Sequence, residues 1–251
     1  DVIERAKHDF VGTLMKQGKQ WLAKPDGTEL HDPIIIRDAS ATNAKAGDKV
    51  AFELIHFPER DYYGEGVITR VLGDAGKPDV ETQAVIMAFG LHDSFDDASL
   101  EEAREVTADF EQGSDEDRED LTEELVFTID PPNARDFDDA INISYNDSEG
   151  VWELGVHIAD VASFVKQGSK LDASAVERGN SVYLPQHVVP MLPELLSNGV
   201  CSLQEGVRRW AKSVFIQFNR KGKPIGHRLS NTVICSTKRL TYLEAQALID
   251  G

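Results

Sequence analysis

The chain has 251 residues, 41% hydrophobic and 28% charged, with a formal net charge of −18. That size suits one large or two ordinary domains, and no apolar run approaches the roughly 20 residues needed to span a bilayer. The acidic balance argues against nucleic-acid binding by overall charge, and two cysteines, Cys201 and Cys235, make no disulfide framework and point to a reducing, cytoplasmic setting.

Asp1 to about Gly76 reads as a small barrel. Short β-prone runs occur at Phe10–Met15, Lys19–Ala23, Asp32–Ile36, Lys49–Phe57 and Gly66–Leu72, separated by turn residues such as Gln17-Gly18 and Pro25-Asp26-Gly27. Five such strands predict an OB-fold. The patterns Gly12–Leu14, Gly47–Leu54 and Gly64–Asp74 resemble a cold-shock-type domain, and that resemblance implies single-stranded RNA guided by aromatic stacking, with Trp21, Phe57, Tyr62, Tyr63 and Lys16 as candidates. The structural alternative is that Trp21 and Phe57 are barrel core.

Residues 77–124 read as a helical and acidic linker. Asp79–Phe89 and Ser99–Phe110 have helical spacing, and Ser99-Leu100-Glu101-Glu102 has the form of a capping box. Gly113–Glu124 has almost no apolar residues and predicts an exposed connector. From Asp109 to Glu124 there are nine acids and one arginine, whereas Cys201–Gly251 carries nine Lys/Arg and three acids. That basic segment could meet phosphates, although solvent exposure explains most of it.

Residues 125–251 carry the chemistry. A strand leads to Asp130, and an acidic loop follows. A hairpin is expected from Ala140–Tyr145 and Val151–Ile158. Asp160 would cap a short helix, and Ser169 a second that stops at Gly179. Trp210–Phe218 and Ile225–Ile234 alternate like another hairpin, and a helix begins near Leu240. The absent initiator methionine and the late start of this last helix lead us to expect a piece of a longer chain.

The stretch Thr128–Ala140, TIDPPNARDFDDA, places Asp130, Asp136, Asp138 and Asp139 within ten positions, between the apolar runs Leu125–Ile129 and Ala140–Ile143. Four carboxylates brought together repel one another, and burying them unpaired is costly. A cation among them resolves the conflict, and hard oxygen donors favour Mg²⁺, Mn²⁺ or Ca²⁺ over zinc. An EF-hand is excluded by the missing turn glycine and missing final glutamate. Asp138 and Asp139 would face opposite sides of a regular strand, so joint use of both requires irregular backbone. A structural ion or a plain polar loop remains the alternative.

The same run resembles the active-site signature of the ribonuclease II/R family of 3′→5′ exoribonucleases. The resemblance continues in Val156–Val161, Gly168–Asp172, Asn180–Pro185, Pro190–Pro193 and Cys201–Leu203, in the family's order, with details nearest its ribonuclease R branch. It implies an α+β chain, with a five-stranded OB-fold (cold-shock-type) barrel and then the mixed α/β start of a ribonuclease II-type catalytic domain. It also implies metal-dependent, processive 3′→5′ hydrolysis of single-stranded RNA to nucleoside 5′-monophosphates. The cofactor would be Mg²⁺, two ions in one pocket, with Mn²⁺ able to substitute. No membrane and no further small-molecule cofactor are involved.

Asp130, Asp136, Asp138 and Asp139 match the family's catalytic and metal-binding acidic positions. Asp130 and Asp139 would be the direct ligands, and Asp138 would matter most for chemistry. Tyr183 matches a position whose ring stacks on a base near the 3′ end. Arg135 would touch a phosphate or merely offset local charge, and His157 reads as a core histidine. A share of the family's catalytic domain lies beyond Gly251, so the isolated chain is expected to be inactive. A non-catalytic RNA-binding protein on the same fold is the competing reading.

Overall fold

The computed structural model describes residues 8–59, 62–112, 115–185 and 187–251. In chain order these residues form β1 (Asp9–Gln17), β2 (Gln20–Pro25), β3 (Ile34–Ile36), β4 (Asp48–His56), β5 (Glu65–Asp74), α1 (Pro78–Ala88), α2 (Asp97–Gln112), β6 (Glu119–Asp130), β7 (Asp139–Asn146) and β8 (Val151–Ala159). There follow α3 (Val161–Phe164), α4 (Lys170–Arg178), β9 (Val182–Leu184), β10 (His187–Val189), a π-helical segment at Leu195–Val200, β11 (Arg208–Asn219), β12 (Pro224–Thr241) and α5 (Tyr242–Asp250). They group into two compact units, one running to Ser94 and including Val182–Val189, the other comprising Phe95–Ser181 and Pro190–Gly251.

In the first unit β1–β5 close into a barrel of order β1-β2-β3-β5-β4, as the turn spacing predicts for an OB-fold. Alternation along β1 and β4 turns Phe10, Leu14, Val50 and Phe52 inward, where they pack with Ile34 and Ile36. The helix α1 starts on Pro78, which suits a first turn because its missing N–H has no partner to lose. The ribbon β9–β10 belongs to this unit and pairs Tyr183 with Val188.

The second unit holds a feature that the hairpin patterns did not reveal. Its strands close into another five-stranded barrel, of order β11-β12-β6-β7-β8. The long strand β12 makes the closure. It pairs antiparallel with β11, then runs parallel to β6 from Thr232↔Glu119 to Thr241↔Asp130. The strand β6 therefore begins inside the stretch expected to be an exposed connector. Asp120, Glu123 and Glu124 are exposed while the backbone pairs within the closed barrel, so low hydrophobicity concealed a strand.

Two caps also differ from expectation. The helix α2 starts at Asp97, and Asp96 accepts from Ser99 N–H (2.8 Å) and from Ser99 Oγ (2.9 Å). Ser99 thus lies inside the helix, and Glu102 instead accepts from Leu171 N–H of α4 at 2.9 Å. Asp160 precedes α3 but makes no side-chain cap, because its carboxylate is committed elsewhere. Ser169 does cap α4, and Gly179 ends it at a positive φ of 77°.

Candidate active site

The acidic loop joins the end of β6 to the start of β7. Alternation on β6 turns Val126, Thr128 and Asp130 to the buried side. Asp130 Oδ2 and Thr128 Oγ1 are buried, and among the described residues neither has a hydrogen bond of normal geometry, although Thr128 lies close enough to favour the Asp130 carboxylate. The ladder of β7 begins only at Asp139, which pairs with Ile158. Asp138 directly precedes it, and its carbonyl accepts from Ala159 N–H at 2.9 Å. That bond continues the Asp139↔Ile158 register, so the backbone at Asp138 and Asp139 runs on as the start of β7.

The loop is held from outside. Ser202 Oγ donates to Arg135 O (2.8 Å) and accepts from Phe137 N–H (3.1 Å), and Leu203 N–H donates to Phe137 O (2.8 Å). These contacts give Cys201-Ser202-Leu203 a physical role: they fix the backbone on either side of Asp136. On the other half, Arg239 Nη2 donates to Pro131 O (2.9 Å) and Pro132 O (2.8 Å), with its guanidinium 4.8 Å from the Phe137 ring.

The electrostatics are those of crowded acids. Burial pushes the Asp130 carboxyl above its usual range; Thr128 and Arg239 oppose this, and Asp138 and Asp136 add to it. Asp139 is exposed at its outer surface but crowded on its protein side. Desolvation there raises it first, and the charges of Asp138 and Asp130 raise it further. Asp130 thus feels Asp136 and Asp138, and Asp139 feels Asp138 and Asp130. Asp138 is exposed and Asp136 is half-buried. Among the described residues, no three His, Cys, Asp or Glu side chains converge closely enough to hold a metal ion. The donor chemistry fits a hard divalent cation: the oxygens repel one another, and one of them is buried without a partner.

The other predicted residues fall as follows. Arg135 is exposed and, with Phe137, Asn198, Gln204 and Arg239, lines an open cleft of about 600 Å³. Tyr183 is exposed, with 65% of its surface open, on β9 of the first unit. Trp21 is half-buried against the barrel core, with Lys16 Nζ 5.1 Å from its ring, and Phe57 also packs on that core. Tyr62 and Tyr63 are exposed.

His157 is a core residue. It is fully buried, with Nδ1 2.7 Å from Ser213 Oγ and Nε2 3.1 Å from Asn142 Oδ1, and desolvation lowers its pKa to about 4. Part of the basic C-terminal stretch is committed to ion pairs. Arg208 pairs with Asp115, Arg228 with Glu119 and Lys238 with Glu205. Arg239 was missed as a site residue, and its only sequence signal was its place in a basic pair ending a long strand.

Comparison with known proteins agrees with the two-barrel fold. The RNB domain family matches residues 118–251, and the cold shock domain family matches residues 23–96. The chain belongs to the RNB-domain family, the ribonuclease II/R group whose motifs it carries. Ribonuclease R of Thermotoga maritima is 36% identical over 96% of this chain and 34% of its own length. Ribonuclease R of Aquifex aeolicus is 33% identical over 100% of this chain and 35% of its own.

A solved structure of Mycoplasma genitalium RNase R in complex with double-stranded RNA superposes with a TM-score of 0.86 at 28% identity, covering 100% of this chain and 44% of that one. Yeast Ssd1, described as a pseudonuclease, shares the fold at a TM-score of 0.70 and 19% identity. The chain spans about a third of the length of these curated relatives.

Proposed function

We propose that this chain forms the cold-shock-type barrel and the first part of the catalytic domain of a metal-dependent, processive 3′→5′ exoribonuclease. Its substrate would be single-stranded RNA, and its products nucleoside 5′-monophosphates. The observation that carries the reading is the buried Asp130 Oδ2, without a hydrogen-bond partner among the described residues, at the head of the loop that carries Asp136, Asp138 and Asp139 within residues matched by the RNB family.

Asp130 and Asp139 would hold Mg²⁺ or Mn²⁺ directly, with Asp136 and Asp138 holding a second ion or its waters. When bound, such ions activate a water and stabilise charge on the leaving oxygen. The chain's own residues position the acids: Ser202 and Arg239 fix the loop backbone, and Arg135 faces the open cleft where a phosphate can approach. In the first unit, the exposed rings of Tyr62 and Tyr183 suit base stacking, which tolerates any sequence.

The competing reading is a non-catalytic RNA-binding protein. The absence of a ready three-acid geometry among the described residues favours it. Asp138→Asn in the complete polypeptide separates the two. The substitution keeps size but removes a charge that acts mostly in the transition state. We expect RNA binding close to the parent's and hydrolysis of labelled single-stranded RNA lowered by several orders of magnitude. Turnover in Mg²⁺ equal to the parent's would exclude the catalytic role of Asp138, and no turnover by the parent would favour the binding protein.

A further inference from the structure

Asp130 and Asp139 are set by the barrel ladder, but the residues between them are not. Inside the loop Ala134 N–H bonds back to Pro131 O at 3.1 Å, which closes one turn and leaves the following residues to be placed from outside. Ser202 grips the later half at Arg135 and Phe137. The earlier half is gripped by Arg239, whose parallel register puts it opposite Thr128, two positions from the Thr241↔Asp130 pair.

One nitrogen of Arg239 bonds two successive carbonyls, at 2.9 and 2.8 Å, and its Cζ lies 4.8 Å from the centre of the Phe137 ring. The same guanidinium therefore touches the backbone directly after Asp130 and the side chain directly after Asp136. Its own backbone is fixed by Glu205 Oε2, which accepts from Arg239 N–H at 2.9 Å. Proline suits the gripped positions because its carbonyl remains a full acceptor while its ring limits φ.

We propose that Arg239 is the positioning residue of the acidic loop: it sets where Asp136 and Asp138 stand relative to Asp130, and so sets the affinity of the site for a divalent cation. This rests on the reading of the loop as a metal site. A guanidinium can span two acceptors and a ring at once, which the compact ammonium of lysine cannot do. Charge alone has the opposite sign. Removing a cation beside four carboxylates would tighten metal binding, so loss of affinity on substitution isolates positioning from charge.

The test is Mn²⁺ titration of the 251-residue chain, following the EPR signal of the free ion well below the unfolding midpoint. Parent, Asp130→Asn, Arg239→Lys and Arg239→Met are compared, with circular dichroism reporting the folded fraction. We expect Arg239→Lys to weaken Mn²⁺ binding at least tenfold with the charge retained and the chain folded, and Arg239→Met to weaken it at least as much. Parent-like affinity in Arg239→Lys, or tighter binding in Arg239→Met, overturns the proposal while an Asp130→Asn defect leaves the metal site standing. Failure of the parent to bind Mn²⁺, or parent-like binding in Asp130→Asn, overturns the metal site and the inference with it.

Discussion

Arg118 Nη2 donates to Asp160 Oδ2 at 2.7 Å, tying the approach to β6 to the residue that ends β8. The carboxylate side chain is fully buried and the guanidinium only 11% exposed. Ser163 Oγ bonds the same oxygen at 2.7 Å, and the Trp210 ring lies 4.3 Å from the guanidinium. Burial alone would raise the Asp160 pKa, but Ser163 and Arg118 outweigh it and hold it below the usual range. A depressed folded pKa means stability that is present above the unfolded value and lost as pH falls through the folded one. Replacing Arg118 by Met keeps the stem but leaves the buried carboxylate only Ser163 and the more distant Lys212, at 3.8 Å. We expect a loss of about 3–5 kcal/mol, read as a lower urea midpoint at neutral pH.

Gly155 lies opposite Asn142 inside the second barrel, and a Cβ there would sit 2.0 Å from Asn142 Oδ1 and 3.0 Å from His157 Nε2. Gly155→Ala must therefore displace the Asn142 amide from His157. A loss of about 2 kcal/mol or more is expected, combining steric overlap with an unsatisfied buried group. Because Asn142→Ala removes the obstructing amide, the double variant should lose less than the sum of the two singles. Additive losses in chemical denaturation would show that the clash lies elsewhere.

His157 gives a pH signature. Burial lowers its folded pKa to about 4 from the ordinary 6.5, so between those values the unfolded chain binds the proton and the folded chain does not. Stability should fall as pH drops through this window, by at most about 1.4 kcal/mol per pH unit from this group. The raised carboxyls of Asp130 and Asp139 act in the opposite sense, since they bind protons more readily when folded. Comparison with His157→Gln isolates the histidine: the variant's stability between pH 6.5 and 4.5 should fall less steeply than the parent's.

The first barrel was legible because its signals are local: each strand has inward alternation, and each break carries turn chemistry. The acidic loop was legible because carboxylates between apolar runs are costly without a purpose. The second barrel was not, because closure depends on a parallel pairing between β12 and β6, about 110 residues apart, and β6 begins on acids that resemble a connector. Arg118 was hidden for the same reason: it reads as one cation among acids until Asp160 is placed beside it. Arg239 was hidden because its partners are proline carbonyls, which no side-chain pattern marks. The capping box misled through spacing alone, since Asp96 makes the same contacts three positions earlier.

Tyr183 supplies a prediction about products rather than rate. Its ring is 65% exposed on a short ribbon strand, paired to Val188, so truncation removes an exposed aromatic face. Stacking on such a face is worth about 1–3 kcal/mol per base, enough to decide how short an RNA stays held at its 3′ end. In the complete polypeptide, Tyr183→Ala should leave Mn²⁺ affinity unchanged while lengthening the final product by a nucleotide or two on a denaturing gel. Tyr183→Phe should give the parent's end product, because the face and not the hydroxyl does the stacking. An end product from Tyr183→Ala identical to the parent's would show that the ring does not hold RNA, and a loss of Mn²⁺ affinity would show that the substitution had disturbed the acidic loop instead.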